Sequence, residues 1–227
     1  MSERITFSSV LQVITIDGVS GSGKSSTAKL LAKQLGFCHL DTGAMYRTHT
    51  LMAIRSGLKP DQYDELGRLA EKLDFSFSDA KELMVNGKPL PSEIRSPEIS
   101  SHVSEYCKPH EVRKVMALQQ RKLGLSKPCV AEGRDMATVV FPDARWKFYM
   151  TARPEVRAQR RVKELELAGH SVKYEEILRN LGERDDKDSN REHAPLKKAE
   201  NAVEIDTSDL TMDQQVSTIA NLVRSAP

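Results

Sequence analysis

Little in this 227-residue sequence is aromatic: Phe, Trp and Tyr together make up 5%. That leaves few platforms on which single-stranded bases could stack. An excess of one charge sign is missing too. Lys and Arg number 34 against 32 Asp and Glu, a formal net charge of +2, which is too balanced to draw in nucleic acid or a membrane surface by bulk electrostatics. The three cysteines, Cys38, Cys107 and Cys129, form no Cys-x-x-Cys pair. Cys38 and Cys129 sit in apolar, strand-like runs, where a small buried hydrophobe is the expected role. Six scattered histidines show no His-Glu-x-x-His pattern and no cluster with cysteine, which argues against a structural metal site. No apolar run reaches membrane-spanning length, and the first ten residues hold no apolar signal region. No exposed apolar stripe calls for a permanent dimer. The expectation is a cytoplasmic monomer with no nucleic-acid or membrane partner.

What is present is organised around Val13 to Ser26, VITIDGVSGSGKSS. Gly18-x4-Gly23-Lys24-Ser25 fits the phosphate-loop pattern. Apolar β-formers precede it, and a helical pattern (Ala28, Leu30, Leu31, Ala32, Leu35) follows. Glycines let successive backbone N–H groups turn inward around phosphate oxygens, and the positive end of the following helix adds to this. In this pattern Gly18, Val19, Ser20, Gly21, Ser22, Gly23, Lys24, Ser25 and Ser26 form a loop for a nucleoside triphosphate. Lys24 reaches the β- and γ-phosphates, and the Ser25 hydroxyl ligates Mg²⁺.

The rest of the chain, 39% apolar and 29% charged, reads as alternating strands and helices. Strands are expected at Val13 to Asp17, Phe37 to Leu40, Pro128 to Glu132, Trp146 to Thr151 and Ala202 to Ile205. Helices lie between them, and an amphipathic one runs from Met212 to Arg224. Pro109 should kink or split the long helix from Pro97 to about Leu123. Leu73 to Ile94 departs from the alternation. Phe75 and Phe77 alternate with serines, and Asn86-Gly87 marks a hairpin. Strands separated by helices imply a parallel sheet with helices on both faces and ligands at the C-terminal strand ends.

Four charged segments fall at that edge. Arg47 stands one turn into the helix after the second strand, where it either swings into the cleft or stays solvated. Glu132 ends a buried strand, a common place for a carboxylate near Mg²⁺, while Arg134 and Asp135 can equally be a surface turn. Arg153, Arg157, Arg160 and Arg161 lie on one helix, and Arg153, Arg157 and Arg160 (or Arg161) form one face of it, suited to phosphate or simply to solvent. Arg184, Asp188 and Arg191 share another face, or belong to a frayed helix end. No Ser–His–Asp set is visible, and phosphoryl transfer needs none.

Together the segments ITIDGVSGSGKSS, LDTGAMYR, SEIRSPEIS, GRDMATVVFPDA and ERDDKDSNR make the chain similar to the bacterial cytidylate kinases, nucleoside monophosphate kinases acting on CMP. The resemblance implies an α/β phosphate-loop core with five parallel strands in the order 2-3-1-4-5, a small antiparallel insert and a short helical lid. Residues 1–11 would be an extension and 12–227 the kinase domain. Within it, the core would take about 12–60, 97–152 and 190–227, the CMP-binding insert about 61–96, and the lid about 153–189. The implied reaction is ATP plus CMP or dCMP giving ADP plus CDP or dCDP, with Mg²⁺ at Ser25 and Glu132. By the same resemblance, Arg47, Arg134 and Arg191 hold the CMP phosphate, with Thr42 beside them. Ser104, Arg113 and Asp135 read cytosine, and Arg184 and Asp188 meet the ribose. Lys24 and Arg134, with Arg157 or Arg161 from the lid, would neutralise the transferring group. The sequence departs from many relatives at Val19 for proline, Ser25 for glycine, Thr42 for serine and Glu132 for aspartate. Other readings are a kinase for uridylate or a sugar acid, a slow phosphate-loop switch, or an RNA-binding protein.

Overall fold

The computed structural model describes residues 12–225, so the extension expected at 1–11 lies outside the described residues. Its centre is a sheet of five parallel strands: β1 (Val13–Gly18), β2 (Cys38–Asp41), β6 (Cys129–Gly133), β7 (Trp146–Thr151) and β8 (Val203–Asp206). They lie in the order β2-β6-β1-β7-β8, which is 2-3-1-4-5 when these five are counted among themselves. The α/β class expected from the alternation is therefore present. β1, fully buried, pairs on one side with β6 (Val13 opposite Cys129) and on the other with β7 (Ile14 opposite Trp146). A strand covered on both faces has little use for polar alternation, hence the nearly continuous apolar runs.

Two cores form on the two faces. On one, Ile14, Ile16, Val130 and Phe148 pack against α1 (Lys24–Leu35) and α8 (Met212–Ser225) through Leu31 and Ile219. On the other, Val13, Leu40 and Ala131 meet α2 (Thr42–Arg55), α3 (Tyr63–Lys72) and α5 (His110–Ser126) through Met45, Leu66 and Met116. All three cysteines are buried and free, as expected of small apolar side chains. The strands of the sheet are thus clamped from two sides by side chains with almost no exposure.

The departure from alternation is a separate three-stranded antiparallel sheet, β3 (Phe75–Phe77), β4 (Leu83–Val85) and β5 (Lys88–Pro89). Asn86 and Gly87 both take positive φ (49° and 72°), the conformation a two-residue hairpin needs. The long helix does split at Pro109: α4 (Pro97–Tyr106) ends before it and α5 begins after it. α4 starts cleanly because Ser96 caps the Ile99 N–H and Pro97 sits at the first helical position. Beyond β7 come α6 (Pro154–Leu167) and α7 (Tyr174–Asn190). No helix among the described residues is long and apolar enough to cross a membrane.

Candidate active site

The C-terminal ends of the strands open into one cavity of about 1080 Å³, bounded by the loop after β1, the start of α2, the end of β6, α4, and α7. β1 runs into Gly18, where an added Cβ would lie 2.0 Å from the Met150 carbonyl oxygen. Only glycine lets the loop leave the sheet there. Gly23, at φ 91°, turns the chain into α1. Lys24, the first residue of that helix, is 5% exposed. Its ammonium donates to the Val19 carbonyl at 2.6 Å and faces the Ser22 hydroxyl at 3.4 Å. Burial, then the nearby Arg134, depress its pKa well below the usual lysine value. A phosphate chain would supply the counter-charge that this ammonium lacks. The loop is braced from behind: the Thr207 hydroxyl donates to the Ser22 carbonyl at 2.8 Å, and Arg160 holds Thr207 at 2.6 and 3.0 Å.

Ser25 and Glu132 meet beside the loop. The Ser25 hydroxyl donates to Glu132 Oε2 at 2.6 Å, and His39 Nε2 lies 2.9 Å from Oε1. Thr42 donates its hydroxyl to the Glu132 backbone carbonyl at 2.6 Å, which ties the start of α2 to β6. Ser25 and Glu132 present only hard oxygens towards the cleft, a donor type that suits Mg²⁺. These are the two residues expected at the metal from the sequence, and their side chains lie within hydrogen-bond distance of each other.

Across the cleft stand the arginines. Arg47 enters from α2, held by Asp41 at 3.6 Å, and Asp41 also caps α2 through the Ala44 N–H at 2.7 Å. Arg134 spans the site, donating from Nε to Asp188 at 2.8 Å and from Nη2 to the Ser20 hydroxyl at 2.7 Å. Asp135 accepts from Arg113 at 2.5 Å and from Arg191 at 3.4 Å, so the alternative of a surface turn at Arg134-Asp135 does not hold. Arg113 also lies 5.2 Å over the Tyr46 ring. Burial works against the charge on Asp188, but Arg134, Arg184 and Arg191 outweigh it and hold its carboxyl below the ordinary range. Arg184 is pushed down to about 10, by burial first and then by Arg134. Ser104 lines the same cavity from α4. The Nε–H groups of Arg47, Arg113 and Arg184, all lining the cavity, are buried without a hydrogen-bond partner. Unpaired buried donors of this kind are expensive unless an anion completes them.

The arginine face of α6 is divided. Arg153 forms a bidentate, exposed pair with Asp209 at 2.6 and 2.8 Å, Arg160 braces Thr207, and Arg161 pairs with Glu164 at 2.8 Å. Arg157 alone is buried against the loop. It pairs with Asp185 and donates to the Ser20 carbonyl at 3.0 Å, while the Ser20 N–H donates to Asp185 at 3.0 Å. Helical spacing put Arg153 and Arg157 on one face with Arg160 or Arg161, but could not show that each of the four finds a different partner.

Four participants were not anticipated. Asp185 is one; its signal lay in the charged string 184–191. Arg95 reaches Asp41 at 3.2 Å from the turn before α4. His39 is the third. Asp17, next to the end of the buried strand β1, accepts the N–H groups of Met136 and Ala137 at 2.9 and 2.8 Å. It thereby anchors the π-helical turn Met136–Val140 that follows Asp135. Burial pushes its carboxyl up to about 6, against the pull of those two N–H groups. A lone acid in an otherwise apolar strand was the available sign.

Comparison with known proteins agrees over nearly the full length. A family model described as cytidylate kinase matches residues 14–225. The cytidylate kinase of Caldanaerobacter subterraneus subsp. tengcongensis is 44% identical over 211 residues, 93% of this chain and 94% of that protein. That of Fervidobacterium nodosum is also 44% identical, over 93% and 95%. The enzyme of Clostridium botulinum (strain Langeland) is 40% identical over 93% and 97%.

Proposed function

The chain belongs to the cytidylate kinase family, and from that we propose that it transfers the γ-phosphoryl group of ATP to CMP or dCMP, giving ADP and CDP or dCDP. The observation that carries the assignment is the group of guanidinium side chains, Arg47, Arg113, Arg134, Arg184 and Arg191, that line one cavity together with Lys24 and its loop. They supply a second anion site opposite the first, which is what a phosphorylated acceptor requires.

The donor phosphates sit on the loop from Gly18 to Ser26, with Lys24 leaving Val19 to reach them. Ser25 and Glu132 would hold Mg²⁺, which when bound neutralises charge on the β- and γ-phosphates. On the far side Arg47, Arg134 and Arg191 hold the CMP phosphate, with Thr42 fixing the strand end behind it. That phosphate is largely dianionic near pH 7, because its second pKa is roughly 6. Its own oxygen is therefore the nucleophile, and no protein base is needed. Asp135 accepts from the cytosine N4 amino group, while Arg113 and Ser104 offer hydrogens to N3 and O2. Uracil reverses the pattern at positions 3 and 4 and leaves those buried groups mispaired. Arg184 and Asp188 face the ribose. Arg157 or Arg161 from the α6–α7 lid neutralises the transferring group and, with Arg134, keeps water out. The balanced charge of the chain gives no bulk attraction for nucleic acid or a membrane surface, in keeping with small nucleotides as the ligands.

A coupled assay of ADP release over CMP, dCMP, UMP, AMP and GMP tests the assignment. Release should depend on the monophosphate and be fastest with CMP or dCMP. An equal rate on UMP or AMP would remove the acceptor assignment, and release without any acceptor would point to a hydrolytic switch.

A further inference from the structure

Glu132 reaches the cleft with one more rotatable bond than an aspartate would have. A longer carboxylate is harder to hold in a single orientation, because each free torsion costs ordering entropy when a ligand fixes it. Both of its oxygens are nevertheless already occupied. Oε2 accepts from Ser25 at 2.6 Å, Oε1 faces His39 Nε2 at 2.9 Å, and the main-chain carbonyl accepts from Thr42 at 2.6 Å. The β2–β6 register explains how His39 gets there. His39 lies opposite Val130 and Asp41 opposite Glu132, so His39 and Glu132 share a sheet face as diagonal neighbours. At that separation a long side chain reaches and a short one does not. A carboxylate oxygen accepts, so the imidazole carries its hydrogen on Nε2 and donates it.

We infer that His39 is a positioning residue for the metal of the donor nucleotide, acting through Glu132. Its N–H occupies Oε1 and turns Oε2 towards Ser25. The Ser25 hydrogen is spent on Oε2, which leaves the hydroxyl lone pairs free for a cation. A ligand oriented in advance by an outer hydrogen bond binds metal more tightly than a free one, and loss of such a partner typically weakens affinity about 10- to 100-fold. The inference rests on the assignment of Ser25 and Glu132 to the metal.

The test is a Mn²⁺ titration of the full chain in the presence of ADP, read by the electron paramagnetic resonance signal of free Mn²⁺, which needs no turnover. His39→Ala should weaken Mn²⁺ binding to the protein–ADP complex about tenfold. His39→Gln, whose amide can still donate to Oε1, should recover most of that loss. In a Glu132→Asp background the shorter carboxylate falls out of reach, and His39→Ala should change affinity less than about twofold. Melting temperatures without metal identify any variant that fails to fold, and the Glu132→Asp chain then asks the same question from the other partner. The inference is overturned if His39→Ala binds Mn²⁺ as the unaltered chain does. It is overturned equally if the loss is as large in the Glu132→Asp background, or if the chain adds nothing to the affinity of Mn²⁺ for ADP. A chain that shows His39-dependent Mn²⁺ binding but releases no ADP with CMP keeps this inference and loses the acceptor assignment.

Discussion

Asp135→Asn isolates the pair proposed to read the base. In the native site two guanidinium groups share Asp135 Oδ2, Arg113 at 2.5 Å and Arg191 at 3.4 Å, and the Arg113 and Asp135 side chains are only 10% and 6% exposed. Losing one partner of a buried pair costs about 3–5 kcal/mol, because the other charge stays buried. Asparagine keeps the shape and one acceptor oxygen, so about 2 kcal/mol is the expected loss here. In a chain of this length that lowers Tm by about 4–8 °C. The functional effect is larger. The amide nitrogen can donate where the carboxylate could only accept, so cytosine N4 loses its partner while uracil O4 gains one. kcat/KM for CMP should fall by about 10²–10³, and the CMP-to-UMP preference should shrink by at least about tenfold. Binding of ATP at the loop should be nearly unchanged. Differential scanning fluorimetry and the ADP-release assay, run over both monophosphates, measure these quantities. An unaltered Tm together with an unaltered CMP-to-UMP ratio would refute the reasoning, since it would mean Asp135 neither balances the arginines nor reads the base.

Lys24→Ala should lower kcat by at least about 10³ in the same assay, because the loop loses its only buried ammonium facing the transferring group. Asp17 predicts a pH effect on stability. Its folded pKa, about 6 against 3.8, is raised, so the native state binds a proton that the unfolded chain has released. That contribution is full below about pH 4 and is lost as pH rises through 6. Urea unfolding should show about 1.3 kcal/mol less from this group at pH 7 than at pH 5, with the slope absent in Asp17→Asn. Gly124→Ala would put a Cβ 2.4 Å from Phe141 Cζ. Overpacking of about 1–3 kcal/mol is offset in part by up to about 1 kcal/mol of helix propensity, so Tm should drop by about 2–4 °C. KM for CMP should rise, because α5 carries Arg113 and Phe141 follows the turn that holds Asp135.

The elements legible in the sequence are those whose causes are local. The glycines of the loop, the Asn86-Gly87 hairpin and the split at Pro109 each follow from the φ preference of one or two residues. The apolar runs of β1 and β6 follow from burial on both faces. Strand ends shifted by one residue, as in β2, β6 and β8, because hydrogen-bond register with the neighbouring strand decides them and side-chain type does not. Asp17, His39, Arg95 and Asp185 were hidden for a common reason. Each is defined by a partner between 54 and 165 residues away or nearly so: Asp17 by Met136 and Ala137, His39 by Glu132, Arg95 by Asp41, Asp185 by Ser20. No periodicity reports a contact of that kind. The arginines at the start of α6 show the reverse error, in which a regular spacing of Arg153, Arg157 and Arg160 (or Arg161) suggested one joint task for side chains that the fold disperses.

Asp185 sets a carboxylate of the protein's own against the Ser20 N–H of the loop, and Arg157 anchors that carboxylate. Under the proposed function, a phosphate chain that takes over the Ser20 N–H would displace this internal anion, and the donor's affinity would then be the difference between two attractions. The same displacement would free Arg157 from its partner, which would tie the availability of that cation to the arrival of the donor.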